Sequence, residues 1–253
     1  MKRIIVNADD FGINETVTQK IEQMILSKAV SSTTVMANGK CLEEVQKFAA
    51  EHPEVSFGVH LCLSEFESIT KTEGLYHFGI TDEQGFFKKK AIMNLKNIEE
   101  SREVQNAIKD ELNAQIDVVK GLGIKISHAD SHHHVHSCYQ LRKIFVDVLK
   151  SRGISKIRLC PGFQTLRSKA HIIQYAKFLH LNRIYKEQFH TTDYFMNYYN
   201  YLQGVAKCKQ GQTLELMCHP GHPAERYKLE MKKVENKDAL GGDVIELISY
   251  NEL

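Results

Sequence analysis

The chain has 253 residues, enough for one α/β barrel with a full core and no need of disulfides or a structural metal. Its 42% hydrophobic and 25% charged residues match a soluble globular protein, which excludes disordered, fibrous and membrane classes. A net charge of +2 gives no strong pull toward nucleic acid or acidic membranes, and no apolar run is long enough to span a bilayer.

Met1-Lys2-Arg3-Ile4-Ile5-Val6-Asn7-Ala8-Asp9-Asp10 reaches acidic residues too soon for a signal peptide, so a cytoplasmic protein is expected. Residues 4–7 form a first strand. Asn14 caps the next helix, with Glu15 in its first turn and Val17, Ile21, Met24 and Ile25 at helical spacing. Residues 32–37, rich in Thr and Val, form a second strand before the Asn38-Gly39 turn. Leu42, Val45, Phe48 and Ala49 mark a second helix. Val55, Phe57, Val59, Leu61 and Leu63 alternate, which predicts a third strand over 55–63 with one apolar face. Residues 64–90 have no period and form a long loop, a type usually functional or mobile. Val104, Ile108, Leu112, Ile116 and Val119 mark the clearest helix, ended by Gly121 and Gly123. A fourth strand is expected over 124–129. Leu141, Ile144, Phe145, Val148 and Leu149 give a helix ending at Gly153, and 154–159 a fifth strand closed by Pro161-Gly162. Residues 163–210 are rich in Tyr, Phe and His and are mostly helical. A sixth strand over 213–218 ends at His219-Pro220-Gly221.

Strands that alternate with helices predict a parallel sheet with helical crossovers. No linker, repeat or low-complexity block interrupts it, so residues 1–253 are taken as a single domain. A dinucleotide fold would need a glycine-rich first turn, and Asp9-Asp10-Phe11-Gly12 puts carboxylates there instead. The expectation is therefore a distorted, TIM-like (β/α) barrel of parallel strands. The six cysteines lack a CxxC pair and are read as reduced, small buried hydrophobes.

Thirteen histidines are present, and five lie between positions 128 and 136. Asp9 and Asp10 end the first strand, His60 lies near the end of the third, and His128, Asp130 and His132 end the fourth. Arg158 is late in the fifth and His219 ends the sixth. In a parallel β/α protein these ends share one rim, where ligands collect. Each has a plain alternative: a helix-capping Asp pair, a satisfied core histidine, a solvated His-rich loop, a strand stop. Their shared rim argues against four separate coincidences. Two imidazoles and a carboxylate can hold a divalent cation, a second carboxylate can take a proton from water, and a histidine can protonate a leaving group.

Asn7-Ala8-Asp9-Asp10-Phe11-Gly12, Gly58-Val59-His60-Leu61, the segment from His128 to His136, and Glu215-Leu216-Met217-Cys218-His219-Pro220-Gly221 resemble the four signature segments of the YdjC-like carbohydrate deacetylases, which include chitooligosaccharide deacetylases. The segments occur in the family's order, from about residue 3 to 222. The resemblance implies a distorted barrel related to polysaccharide deacetylases and hydrolysis of an N-acetyl group on an amino sugar or oligosaccharide. It implies Asp10, His60 and His132 as ligands of one divalent cation, Mg2+ or Zn2+. Asp9 would be the base and His219 the acid. Arg158 would orient the base or bind substrate, and Asp193, in Thr192-Asp193-Tyr194-Phe195, would lie near the sugar. His128, Asp130, His134 and His136 would hold the ligand imidazoles in one tautomer, and Glu215 would support the site or substrate. Magnesium prefers oxygen ligands, whereas two imidazoles suit zinc, cobalt, iron or nickel better. The Lys-rich chain after Arg226 departs from the family, so from about residue 227 the barrel is expected to close in its own way.

Other readings remain open at this level. His128-x-Asp130 with a distant His is also an oxygenase pattern, but those enzymes are all-β barrels. A one- or two-metal phosphoesterase or amidohydrolase on a similar barrel shares the ligands, and a metal- or sugar-binding protein without turnover shares the histidines. Tyr194, Phe195, Tyr198, Tyr199 and Tyr201 suit either sugar stacking or helix packing. The expected partner is an N-acetylated sugar, without nucleic acid or membrane; a homo-oligomer is allowed.

Overall fold

A computed structural model describes residues 2–89, 91–95, 98, 101–161, 169–197, 209–222 and 245–253, with the backbone alone for 169–171. The strands are β1 (Lys2–Phe11), β2 (Ser32–Val35), β3 (Ser56–Leu61), β4 (Ala129–Ser131), β5 (Tyr194–Asn197), β6 (Thr213–Cys218) and β7 (Ile245–Leu247). They pair in the order β4-β3-β2-β1-β6-β5, all parallel. β7 joins the start of β1, on Lys2, Arg3 and Ile4. The helices are α1 (Glu15–Leu26), α2 (Leu42–Glu51), α3 (Glu73–His77), α4 (Ala91–Asn94), α5 (Arg102–Gly121), α6 (Arg142–Ser151) and α7 (Lys169–Gln188). Among the described residues no helix is long and apolar enough to cross a membrane.

The sheet curls toward closure through two single parallel bridges, Ala129 with Ile157 and Lys156 with His190. The expected fifth strand at 154–159 is thus a seam and not a ladder. The fourth strand is displaced as well: it occupies 129–131, and just before it Ser127 N–H donates to the Phe57 carbonyl and Val59 N–H to the His128 carbonyl. Within the stretch expected to be mostly helical, α7 is followed by β5. Residues 162–168 and 198–208 lie outside the described residues, and with them Tyr198, Tyr199 and Tyr201 of the aromatic stretch.

Alternation along the strands separates two environments. Ile4, Val6 and Ala8 of β1, Phe57, Val59 and Leu61 of β3, and Leu214, Leu216 and Cys218 of β6 join the main hydrophobic core. Their neighbours Asn7, Asp9, His60 and Glu215 are equally buried, yet polar. Both faces of these strands are therefore covered, as parallel sheets require, and the second face is the inside of the barrel. Beneath it Ile5 packs with Ile248 and Tyr250 in a small separate cluster.

Local signals explain the helices. Asn14 Oδ1 accepts from Val17 N–H at 3.0 Å, the expected cap of α1. Besides its apolar residues, α5 buries Glu111 and Gln115. Glu111 accepts from the backbone N–H groups of Ile69 and Thr70, and Gln115 bonds the N–H and the carbonyl of Cys62. These contacts clamp the start of the long loop, which also carries α3 and two antiparallel bridges, Glu67 with Phe86 and Thr81 with Phe87. Cys41, Cys62, Cys160 and Cys218 are buried, and Cys138 is half-buried.

Candidate active site

Two adjacent carboxylates on one strand would ordinarily face opposite ways. Here the pairing of β1 with β2 slips: Ala8 faces Thr33 and Phe11 faces Val35, so β1 spends one extra residue. Asp10 takes a left-handed backbone at φ 70°, which costs a non-glycine residue about 1–2 kcal/mol. Ala8 and Phe11 stay in the core, and Asp9 and Asp10 both turn inward. Asp9 and Asp10 do not end the strand, which continues to Phe11, and the bulge turns both carboxylates to one side.

Asp10 Oδ1 lies 3.2 Å from His60 Nε2 and 3.0 Å from His132 Nδ1. His60 is held from behind: its Nδ1 is 2.6 Å from Asp130 Oδ1 and 3.2 Å from Thr34 Oγ1, which also donates to Asp130 Oδ2. His132 Nε2 meets Glu65 Oε2 at 3.0 Å. Burial opposes charge on Asp10, but the His132 and His60 hydrogen bonds outweigh it and hold the carboxyl well below its ordinary range. At His60 burial acts against the cation, and Asp130 with Asp10 raises the imidazole well above its usual value. One carboxylate oxygen and two ring nitrogens thus converge within reach of a single ion. Two nitrogens and one oxygen fit a divalent cation of the zinc type better than magnesium.

Beside this cluster Arg158 is completely buried. It grips Asp9 with both Nη atoms at 2.6 Å, lies 2.7 Å from Asp130 Oδ2 and donates from Nε to Glu215 Oε1 at 2.7 Å. Burial opposes the Asp9 charge, yet the Arg158 guanidinium keeps that carboxyl well below the usual range. Asn7 Nδ2 donates to Asp9 Oδ1 at 2.9 Å. His219, about one-third exposed, places Nε2 3.8 Å from Asp9 Oδ2 at the mouth. Asp9, Asp10, His60, His132, Asp130, Arg158 and His219, all placed on one rim by their strand positions, are brought together, and Glu215 joins them from within β6 through Arg158.

The supporting histidines behave differently from expectation. His128 Nε2 faces Asn7 Oδ1 at 3.1 Å, His136 Nδ1 faces Ser131 Oγ at 2.5 Å, and His134 packs edge-on against Phe195. Of the four residues expected in that role, Asp130 contacts His60, and Thr34 and Glu65 take the other contacts to the two imidazoles. Burial, seconded by the Arg158 charge, keeps His128 well below its usual value and so neutral. Gly58 makes room for that ring: a Cβ there would stand 2.6–2.8 Å from it. Gly58→Ala should therefore destabilise the fold by about 1–3 kcal/mol in urea titration; a loss under about 0.5 kcal/mol would contradict this fit.

Asp193 is not brought to the cluster. It precedes β5, and its Oδ2 accepts from Thr213 N and Oγ1 at 2.8 and 3.0 Å. Thr213 opens β6 whereas the cluster lies beyond its end at Cys218, roughly 16 Å away at ~3.3 Å per residue. Three contributors escaped the sequence reading: Glu65 sits in the aperiodic loop, Thr34 reads only as a strand threonine, and Tyr250 lies in the C-terminal tail. A groove of about 670 Å3 borders the site, lined among others by His133, His134, Tyr139, Pro161 and Phe178.

The sequence matches the family described as YdjC-like protein over residues 3–247. The chain belongs to the YdjC-like family. A carbohydrate deacetylase of Thermoanaerobacter pseudethanolicus is 26% identical over 268 residues, covering 100% of this chain and 96% of its own. One from Clostridium beijerinckii is 26% identical, covering 99% of this chain and 100% of its own. One from Vibrio cholerae is 34% identical over 149 residues, 58% of this chain and 55% of its own. The fold is shared with a crystal structure from Enterococcus faecalis, provisionally described as a cellobiose-phosphate cleavage protein, at TM-score 0.73 and 23% identity over 99% of this chain and 98% of that one.

Proposed function

We propose that this YdjC-like chain is a single-domain, metal-dependent carbohydrate N-deacetylase that releases acetate from an N-acetylated amino sugar or oligosaccharide. The observation that carries the reading is the Asp10–His60–His132 cluster standing against the arginine-held Asp9, with His219 at the mouth. The carbohydrate deacetylases that align along the whole chain support it.

Asp10, His60 and His132 would hold the cation. When bound, a divalent cation there polarises an acyl oxygen and makes water more acidic. Asp130 fixes the His60 ring so that Nε2 faces inward, and Glu65 does the equivalent for His132. Arg158 keeps Asp9 ionised and aimed, so Asp9 is an acceptor ready for the proton of the attacking water. His219, the more accessible partner, delivers a proton to the departing sugar amine. The adjoining groove, with Tyr139 and Phe178 in its walls, is the surface on which a sugar ring would rest.

Incubation with N-acetylglucosamine oligomers and related glycans tests the reading: metal-supplemented protein should release acetate, and chelator-stripped protein should release none until zinc, cobalt or magnesium returns. No acetate from any N-acetylated sugar in any metal overturns it. His132→Ala should lower bound metal per chain at least about tenfold on metal analysis. Unchanged metal content would remove His132 from the ligand set.

A further inference from the structure

We propose that Tyr250, three residues from the C-terminal Leu253, is a positioning residue for the Asp9–Arg158 pair. The inference rests on the deacetylase reading above for its consequence in turnover, and on geometry alone for the positioning itself.

Tyr250 is fully buried in the small cluster beneath the barrel. Two separate routes lead from it to the same carboxylate. By the first, its hydroxyl donates to Glu215 Oε2 at 2.5 Å, Glu215 Oε1 accepts from Arg158 Nε at 2.7 Å, and the Arg158 Nη atoms hold both Asp9 oxygens. By the second, the Tyr250 ring lies parallel to His128 with centroids 3.6 Å apart and a 9° tilt. His128 Nε2 donates to Asn7 Oδ1, and Asn7 Nδ2 donates to Asp9 Oδ1.

The tail that carries Tyr250 is fixed at several points. Ile248 N–H donates to the Ile4 carbonyl at 2.9 Å and Tyr250 N–H to Ser32 Oγ at 3.0 Å. Lys156 Nζ donates to the Tyr250 carbonyl, and Ser249 and Glu252 bond each other reciprocally. The tyrosine is therefore presented by β1, β2 and the seam together.

The chemistry explains why a hydroxyl here matters above. A guanidinium serving three carboxylates needs one fixed contact to settle how its fork is turned. The Nε–Glu215 bond is that contact, and it holds only while both Glu215 oxygens are satisfied. Without the Tyr250 hydroxyl, Glu215 Oε2 is a buried acceptor lacking this donor, and the fork that aims Asp9 loses its anchor.

Tyr250→Phe keeps the ring and its stack and removes only the hydroxyl. In metal-loaded protein, kcat for acetate release is expected to fall about tenfold, the equivalent of one buried hydrogen bond, with KM and bound metal unchanged. The side-chain N–H signals of Arg158 in a 1H–15N spectrum, assigned by their absence in Arg158→Lys, should move; this reading needs no turnover. If wild-type protein releases no acetate, the deacetylase reading fails and the Arg158 signals alone decide the positioning. Unmoved Arg158 signals overturn the inference, as does wild-type kcat in an active enzyme. Should Tyr250→Phe not fold, Glu215→Gln, which breaks the same link at the next atom, is judged by the same two readouts.

Discussion

Asp9→Asn should reduce acetate release by about 10²–10⁴-fold, the range for loss of a general base, while bound metal stays at the wild-type level. The substitution preserves shape and leaves Asp10, His60 and His132 untouched, so the proposed metal ligands persist. It removes the negative charge that would accept the water's proton. It also turns one end of the amide against an Arg158 N–H that previously met a carboxylate oxygen at 2.6 Å. A stability loss of about 1–3 kcal/mol is the expected side effect, so activity must be read well below the melting temperature. Full activity in a metal-loaded Asp9→Asn protein would sink the assignment of the base. Loss of the metal along with activity would move Asp9 into the ligand set.

Arg158→Met should be the most damaging single substitution for stability. Arg158 is wholly buried and faces Asp9, Asp130 and Glu215 at 2.6–2.7 Å. Methionine fills part of the volume and none of the charge. Breaking a buried ion pair by removing one partner costs about 3–5 kcal/mol, and here three carboxylates lose the same partner. Burial already pushes Glu215 up to about 7, although Arg158 pulls it down; without the guanidinium that opposition ends. Urea denaturation followed by circular dichroism measures the loss. A change below about 1 kcal/mol would mean that the three acids are compensated elsewhere.

The sequence carried the four motifs, and with them most of the site, because chemistry-bearing residues at strand ends stand out against apolar runs. Asp10, His60 and His132 needed only their positions at or near strand ends to be placed on one rim. The misses have physical causes. Residues 154–159 look like a strand, yet pair only through Ile157 and Lys156, because a curled sheet closes there by single bridges. β5 was hidden in an aromatic stretch that follows a 20-residue helix, and four residues are too few to show a period. Glu65 lies where no periodicity exists; what locates it is α5, whose Glu111 and Gln115 tie down the loop on either side. Those two polar residues sit on a helix face that the apolar spacing alone described. Asp193 was drawn toward the sugar by resemblance, while its side chain is engaged at the far end of β6.

The extra residue between Ala8 and Phe11 bears on how this protein tolerates change. Loops around the barrel can gain or lose length at small cost, since closure entropy grows slowly with loop size. The stretch Ala8-Asp9-Asp10-Phe11 has no such latitude. Deleting either aspartate there would restore unbroken alternation and leave a single inward acid between the core residues Ala8 and Phe11. The chemistry is written here in a count of residues as much as in their identity, so a frame of four is what natural variants of this segment must keep.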